Sequence, residues 1–282
     1  MIDSIDETAL NSMGKPELQK YLDSLFEQAM VMVQLSANWP VVSYQQNVTT
    51  RRKRFTKNTS ITPPPSPPLS QHDHTPGTLQ QLTSNSGHYY IQRQSVHDDV
   101  SYDQLREVLL ENHSLNEQKY VDMLVEAKEL KPLMKKSDTN NYTDAGLYWL
   151  GFKASVASPR EFVELVATRE LTNNNNSNSD DQDQQLRSFL VVSQPVDTTN
   201  YARKSHVRGK YISWEYVCEK RLQEGGTQQT YSGNGAVAVE WTCIQQSSAG
   251  GWVPGFLSDY VAANEFYKDV GSLINYIKNK KK

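Results

Sequence analysis

From His206 to Val217 the residue types alternate in a way that could build a lined space. An extended strand here would carry Val207, Gly209, Tyr211, Ser213, Glu215 and Val217 on one face and Ile212, Trp214 and Tyr216 on the other. Small residues interleaved with a phenol and a carboxyl leave room and polar tips where a packed interior would use Leu or Ile. Alternation alone leaves two readings open. Either the odd-numbered face borders a cavity, or it faces water and Ile212, Trp214 and Tyr216 form the core. With a cavity, Glu215, Tyr211 or His206 could act as acid or base in a cyclase- or hydratase-like reaction. Other chemistries lack their residues. Neither Cys218 nor Cys243 has a neighbouring His in sequence, no Gly-x-Ser-x-Gly elbow occurs, and no glycine loop for phosphate follows a strand. His72-Asp73-His74 has no further clustered ligands, so no metal is expected there.

The element that could close this face is the final stretch, 250–278. After Gly250-Gly251-Trp252-Val253-Pro254-Gly255, apolar residues recur at Phe256, Leu257, Tyr260, Val261, Phe266, Val270, Leu273, Ile274 and Ile277. Gaps of three and four predict one continuous helix with an apolar stripe, a rod of roughly 35 Å at about 1.5 Å per residue. Val270, Leu273 and Ile274 should meet the sheet or a ligand, with Lys268 and Asp269 left in water. The glycines ahead of the helix supply the permissive backbone of a hinge, so the helix is read as a gate. Its partner must be the β-rich stretch upstream: 146–154, 160–170, 186–196, 205–222 and 236–246, with a flexible Asn/Asp/Gln connection at 172–185. Before these, 88–102 reads as extended. Ser101 or Asp103 caps a helix through Leu105, Val108, Leu109 and Leu110, and Ser114 with Glu117 predicts a second helix over 115–135. Successive antiparallel strands followed by one long helix indicate an α+β fold, a curved sheet gripping a helix.

Composition sets the outer bounds. Hydrophobic residues make up 37% of 282, the formal net charge is −3, and there are only two cysteines. A disulfide framework and a global case for nucleic acid are excluded, and no apolar run is long enough to span a bilayer. The acidic start MIDSIDETAL is unlike a signal peptide, so a cytoplasmic monomer is expected. Residues 1–50 form an N-terminal helical segment, with Leu18, Tyr21, Leu22, Leu25, Phe26, Ala29 and Val33 on one face of a helix that packs on the domain. Residues 51–87 are a basic, proline-rich insert expected to lack structure, and 88–282 form the folded domain. The tetrad Arg51-Arg52-Lys53-Arg54 admits three uses: nuclear address, anionic-lipid contact or solvated linker. Thr62-Pro63, Ser66-Pro67 and Thr75-Pro76 could accept phosphates, which makes a phospho-regulated adaptor a further reading.

Three signposts occur in order: Ser158-Pro159-Arg160-Glu161-Phe162-Val163, Val207-Arg208-Gly209, and Gly250-Gly251-Trp252-Val253-Pro254. Together with the long terminal helix they resemble the START (steroidogenic acute regulatory protein-related lipid transfer) domain. Arg93-Gln94-Ser95-Val96-His97 and Glu111-Asn112-His113-Ser114-Leu115-Asn116-Glu117 are similar to an uncharacterised fungal START-like family. The resemblance implies a helix-grip fold and non-enzymatic binding and transfer of one lipid in a hydrophobic tunnel, without a cofactor and with transient contact to anionic membranes. It implies that the face carrying Gly209, Tyr211, Ser213 and Glu215 points inward. Phe162, Glu164 and Val166 would line the opposite wall, and Trp252, Phe256, Val270, Leu273 and Ile274 would face the ligand from the lid. Glu161 stands where the family usually has Asp, and Val166 where cholesterol-binding members carry an arginine, so a sterol ligand is not supported. Enclosure has a large driving force. At about 0.8 kcal/mol per methylene, a ~16-carbon chain left in water costs on the order of 12 kcal/mol.

Overall fold

The computed structural model describes residue 2 and residues 4–54, 89–138, 141–153, 158–171, 186–221, 237–248 and 266–280. Strand β1 (Ile5–Asp6) leads directly into helix α1 (Glu7–Ser12), and the Asp6 carboxylate accepts the free backbone N–H groups of Thr8 and Ala9 at 2.8 and 3.0 Å. Helix α2 (Lys15–Ser36) starts with Pro16 in its first turn, where the missing N–H costs nothing. Its buried face carries Leu18, Leu22, Leu25, Phe26, Ala29 and Met32, with Tyr21 and Val33 of the expected stripe half-buried against the same core. Strands β2 (Val41–Gln45) and β3 (Val48–Lys53) form a hairpin turned by Gln46 and Asn47 at φ 51° and 63°, the left-handed pair that a two-residue turn needs. Strand β4 (Tyr90–His97) follows. Ser101 then caps the short helix α3 (Tyr102–Leu105) through a capping box with Gln104, and α3 runs into a π-helical turn, Arg106–Leu110.

Beyond this the chain departs from the predicted helix over 115–135. Helix α4 is only His113–Glu117, and Leu124–Asp138 is strand β5, paired along its length with β6 (Asn141–Phe152). The register shifts between Leu124 and Glu126, Glu129 and Lys131, and Pro132 and Met134. Each shift adds a residue to the two-residue repeat, so apolar positions fall three apart and imitate a helical stripe. Strands β7 (Arg160–Leu171), β8 (Ser188–Asp197), β9 (Val207–Arg208), β10 (Lys210–Arg221) and β11 (Val237–Ser248) follow, and helix α5 (Lys268–Asn279) is the last described element. The connection at 172–185, the glycine turns before β11, the Gly250–Gly255 stretch and the first half of the predicted terminal helix lie outside the described residues.

All eleven strands among the described residues join one sheet in the order β2-β3-β4-β11-β10-β8-β7-β6-β5, antiparallel except where β1 pairs with β8 and β9 with β7. The curved sheet and its terminal helix make the expected α+β helix-grip fold. Arg51, Arg52 and Lys53 belong to β3, so the sheet extends into the first residues of the segment expected to lack structure; 55–88 lie outside the described residues. The N-terminal residues are likewise part of the sheet's packing. Helix α2 lies on the face made by Trp149, Val163, Leu165, Leu190, Val192, Ile212, Trp214 and Ile244. The opposite face carries Tyr148, Val166, Phe189, Val191, Val217 and Trp241, and is covered by the α3–α4 segment and by Val270, Leu273, Ile274 and Ile277 of α5. Both faces of β10 are therefore buried, and the choice between an inner and a wet face disappears.

Candidate functional site

Two of the sequence signposts meet in space and set one wall of the site. Strand β9 bridges β7 in parallel, with Arg160 opposite Val207 and Glu161 opposite Arg208. The Gly209 N–H donates to the Glu161 carbonyl at 2.9 Å. The buried Glu161 carboxylate accepts from Arg208 Nε and Nη2 at 3.1 and 3.0 Å, from Trp149 Nε1 at 3.1 Å and from the Arg203 N–H at 3.0 Å. The Glu161 carboxylate is therefore buried with its hydrogen bonds made. Gly209 sits under the neighbouring ring: a Cβ there would lie 2.4 Å from Phe162 Cε1. Its role is to admit Phe162, whose ring meets Phe152 edge-on at 5.4 Å and Tyr211 at 5.3 Å.

This row of rings borders a cavity of about 330 Å³ between the sheet, α4 and the start of α5. Its walls include Phe152, Phe162, Tyr211, Phe266, Ile91 and Met123, and its polar lining Ser213, Glu215, Glu117, Arg93, Cys243 and Asp269. Phe162, Tyr211, Ser213 and Glu215 thus border the cavity, whereas Glu164 and Val166 are buried on the same face of β7 without lining it. Val270, Leu273 and Ile274 pack α5 onto the sheet, and Trp252 and Phe256 lie outside the described residues. Lys268 is exposed as expected, but Asp269 is half-buried at the cavity because it falls one residue before the buried Val270 on the sheet-facing side. His206 lies elsewhere, edge-on to Trp149 at 5.7 Å, so it does not join Glu215 and Tyr211.

The electrostatics of the cavity floor rest on residues that sequence reasoning left unused. Arg93 is 5% exposed, its guanidinium held over the Trp241 ring at 3.9 Å and the Phe266 ring at 4.8 Å. Its Nε and Nη1 have no hydrogen-bond partner among the described residues. Arg93, Cys243 and Glu215 stand in one row across β4, β11 and β10. Beside them the buried His113 has Nδ1 2.7 Å from the Leu109 carbonyl and Nε2 3.5 Å from a carboxylate oxygen of both Glu117 and Glu215. Glu215 also accepts from Trp241 Nε1 at 2.8 Å. Burial alone would lower the pKa of His113, but the charges of Glu117 and Glu215 outweigh it and raise it to about 9. Tyr211 and Cys243 are both pushed well up, first by burial and then by nearby carboxylates. Glu164, fully buried with neither oxygen hydrogen-bonded to a described residue, is raised well above the carboxylate range by desolvation. The signals were present in the sequence: Tyr89, Ile91 and Arg93 alternate on one strand face, and His113 and Glu117 are one helical turn apart.

A family model described as a protein of unknown function, DUF3074, matches residues 90–277. The chain belongs to the DUF3074 family. The match runs from β4 to α5, so it spans every described residue that lines the cavity except Tyr89. A comparison with curated protein sequences finds no match for this DUF3074 chain. Among solved structures, human StAR-related lipid transfer protein 5 is similar over 94% of this chain and 98% of its own, with TM-score 0.59 and 9% identity. Human STARD10 is similar over 94% of this chain and 80% of its own, with TM-score 0.51 and 11% identity. The DUF3074 chain therefore has the START-like fold.

Proposed function

We propose that the protein binds a lipid in this cavity without catalysing a reaction on it, and transfers it between membranes by opening α5. The observation that carries the reading is the cavity itself: a row of three aromatic rings facing a terminal helix, in a fold shared with a human lipid transfer protein. Its size falls in the range of small-molecule pockets, and its lining joins an apolar wall to a few convergent polar groups. Opening α5 would expose Val270, Leu273, Ile274 and Ile277, which is unfavourable in water and tolerable against a bilayer. That couples release to transient contact with an anionic surface, in a cytoplasmic and peripheral setting. Among the described residues no helix is long and apolar enough to cross a membrane.

The test is native mass spectrometry of the full chain purified from cells, followed by extraction of whatever it carries. A lipid bound one to one, displaced in the Phe162→Trp variant whose larger ring fills the cavity, is the expected result. A compact chain that carries nothing and takes up no lipid from mixed vesicles refutes the reading. A carried molecule that is chemically altered during incubation would point to an enzyme instead.

A further inference from the structure

Three electron-pair donors converge beside the cavity. The Leu109 carbonyl can only accept, so the His113 Nδ1 at 2.7 Å carries a proton and directs it away from the cluster. In the neutral imidazole Nε2 is then a lone pair, and it faces one oxygen of Glu117 and one of Glu215, each at 3.5 Å. The three atoms lie within 4.8 Å of one another and come from two separate elements, α4 and β10. Such a convergence of acceptors requires a positive charge among them. Both carboxylate oxygens stand at the same 3.5 Å, longer than the roughly 2.8 Å of a charge-assisted hydrogen bond. For ligand bonds of about 2.0–2.1 Å, the edges of a tetrahedral metal site are about 3.3 Å, close to the two 3.5 Å edges that His113 makes.

We propose that His113, Glu117 and Glu215 form a binding site for one divalent transition-metal ion, with one nitrogen and two oxygen ligands. The supporting contacts have the form metal ligands need. The Leu109 carbonyl fixes the tautomer and orientation of His113, and Trp241 Nε1 holds the second oxygen of Glu215 at 2.8 Å. His113 is 4% and Glu215 5% exposed, so two ligands are ordered by packing before any ion arrives. The local charge has the right sign. Three carboxylates, Glu117, Glu215 and Asp269, line the cavity together with the Arg93 guanidinium. A divalent ion would displace the proton otherwise held between His113 and the two carboxylates. A mixed nitrogen and carboxylate set suits zinc and its first-row neighbours more than magnesium or calcium. Because Glu117 and Glu215 also line the cavity, a fourth coordination position lies on the cavity side, within reach of an oxygen atom on a bound molecule.

The site does not rest on the lipid reading, and its test needs no lipid. The full chain, stripped with a chelator and dialysed, is titrated with Zn²⁺ by calorimetry and with Co²⁺ by visible absorption. One ion per chain is expected, with the cobalt spectrum of a low-symmetry tetrahedral site. Binding should be lost in His113→Gln and Glu215→Gln and retained in His72→Ala/His74→Ala, which removes the other close histidine pair. Should His113→Gln or Glu215→Gln misfold, Trp241→Phe removes only the donor that orients Glu215 and should weaken binding about 10- to 100-fold. No stoichiometric uptake by folded wild type, binding carried by His72 and His74, or affinity unchanged in Trp241→Phe would each overturn the site and leave a buried imidazolium between two carboxylates.

Discussion

Glu164 offers a test in which the direction of the effect follows from burial alone. Its carboxyl is 0% exposed, has no hydrogen-bond partner among the described residues, and takes up a proton far more readily than in water. A folded-state pKa raised above the unfolded value of about 4.3 means that the native protein holds the extra proton, so stability falls as pH rises from that value towards the folded pKa. While Glu164 stays protonated in the native state, each pH unit above about 4.3 removes about 1.4 kcal/mol, or roughly 2 kcal/mol by pH 6. Glu164→Gln keeps the shape and removes the titration. Both neutral side chains leave buried polar groups alike, so any fixed offset cancels when slopes are compared. Urea unfolding of the two proteins at pH 4, 5 and 6, followed by tryptophan fluorescence, should show the variant gaining on wild type by about 2 kcal/mol across this window. Parallel pH profiles would mean that Glu164 ionises freely in the folded state, and the burial argument would fail.

Gly209→Leu places a Cβ 2.4 Å from Phe162 Cε1 and 3.1 Å from the Ser248 carbonyl oxygen, so the ring must move; a loss of about 1–3 kcal/mol together with weaker lipid uptake is expected, measured by denaturation and vesicle binding. Unchanged uptake would show that the ring row does not shape the cavity. Arg208→Met strands the buried Glu161 carboxylate and should cost about 3–5 kcal/mol in urea unfolding, while the same change at the exposed Arg203–Glu126 pair should cost less than about 1 kcal/mol. Joining the β2–β3 turn to α5 by a short cross-link between cysteines at Gln46 and Gly271, where an added Cβ would lie 3.8 Å from Gln46 Oε1, should preserve binding and stop transfer between vesicles until it is cleaved. Transfer at the normal rate with α5 tethered removes the gate.

The strands were readable because both sides of the sheet are covered, which gives short, nearly continuous apolar and β-branched runs in β7 and β8 bounded by polar tracts. Helix α2 was readable from its stripe, and α3 from the Ser101 cap. Strand β5 was not, since three register shifts at a sheet edge replace alternation with gaps of three. The cavity face was proposed from Tyr211, Ser213 and Glu215, but its other half comes from β4 and α4. No local pattern announces that Arg93 stands in one row with Glu215 across β11, or that His113 lies 3.5 Å from a residue about a hundred positions later. Sequence spacing reports on one element at a time, and this site is made where β4, β6, β7, β10, β11, α4 and α5 meet.

The bond between Arg208 and Glu161 also bears on when the cavity is made. It spans 47 positions, and the parallel β7–β9 bridge it completes forms only after β8 has been laid against β7 and the chain has returned. The antiparallel neighbours β5 to β8 are joined by successive hairpins and meet at far smaller sequence separation, so they reward their ordering sooner. The seat of Phe162 should therefore close after the folding transition state, and loosening it at Arg208 should speed unfolding while leaving the refolding rate nearly untouched. A chain that has just emerged and built its sheet would have a wall without a fixed ring row. The capacity to hold a ligand would then be among the last properties acquired in folding and among the first to fray when the protein is heated.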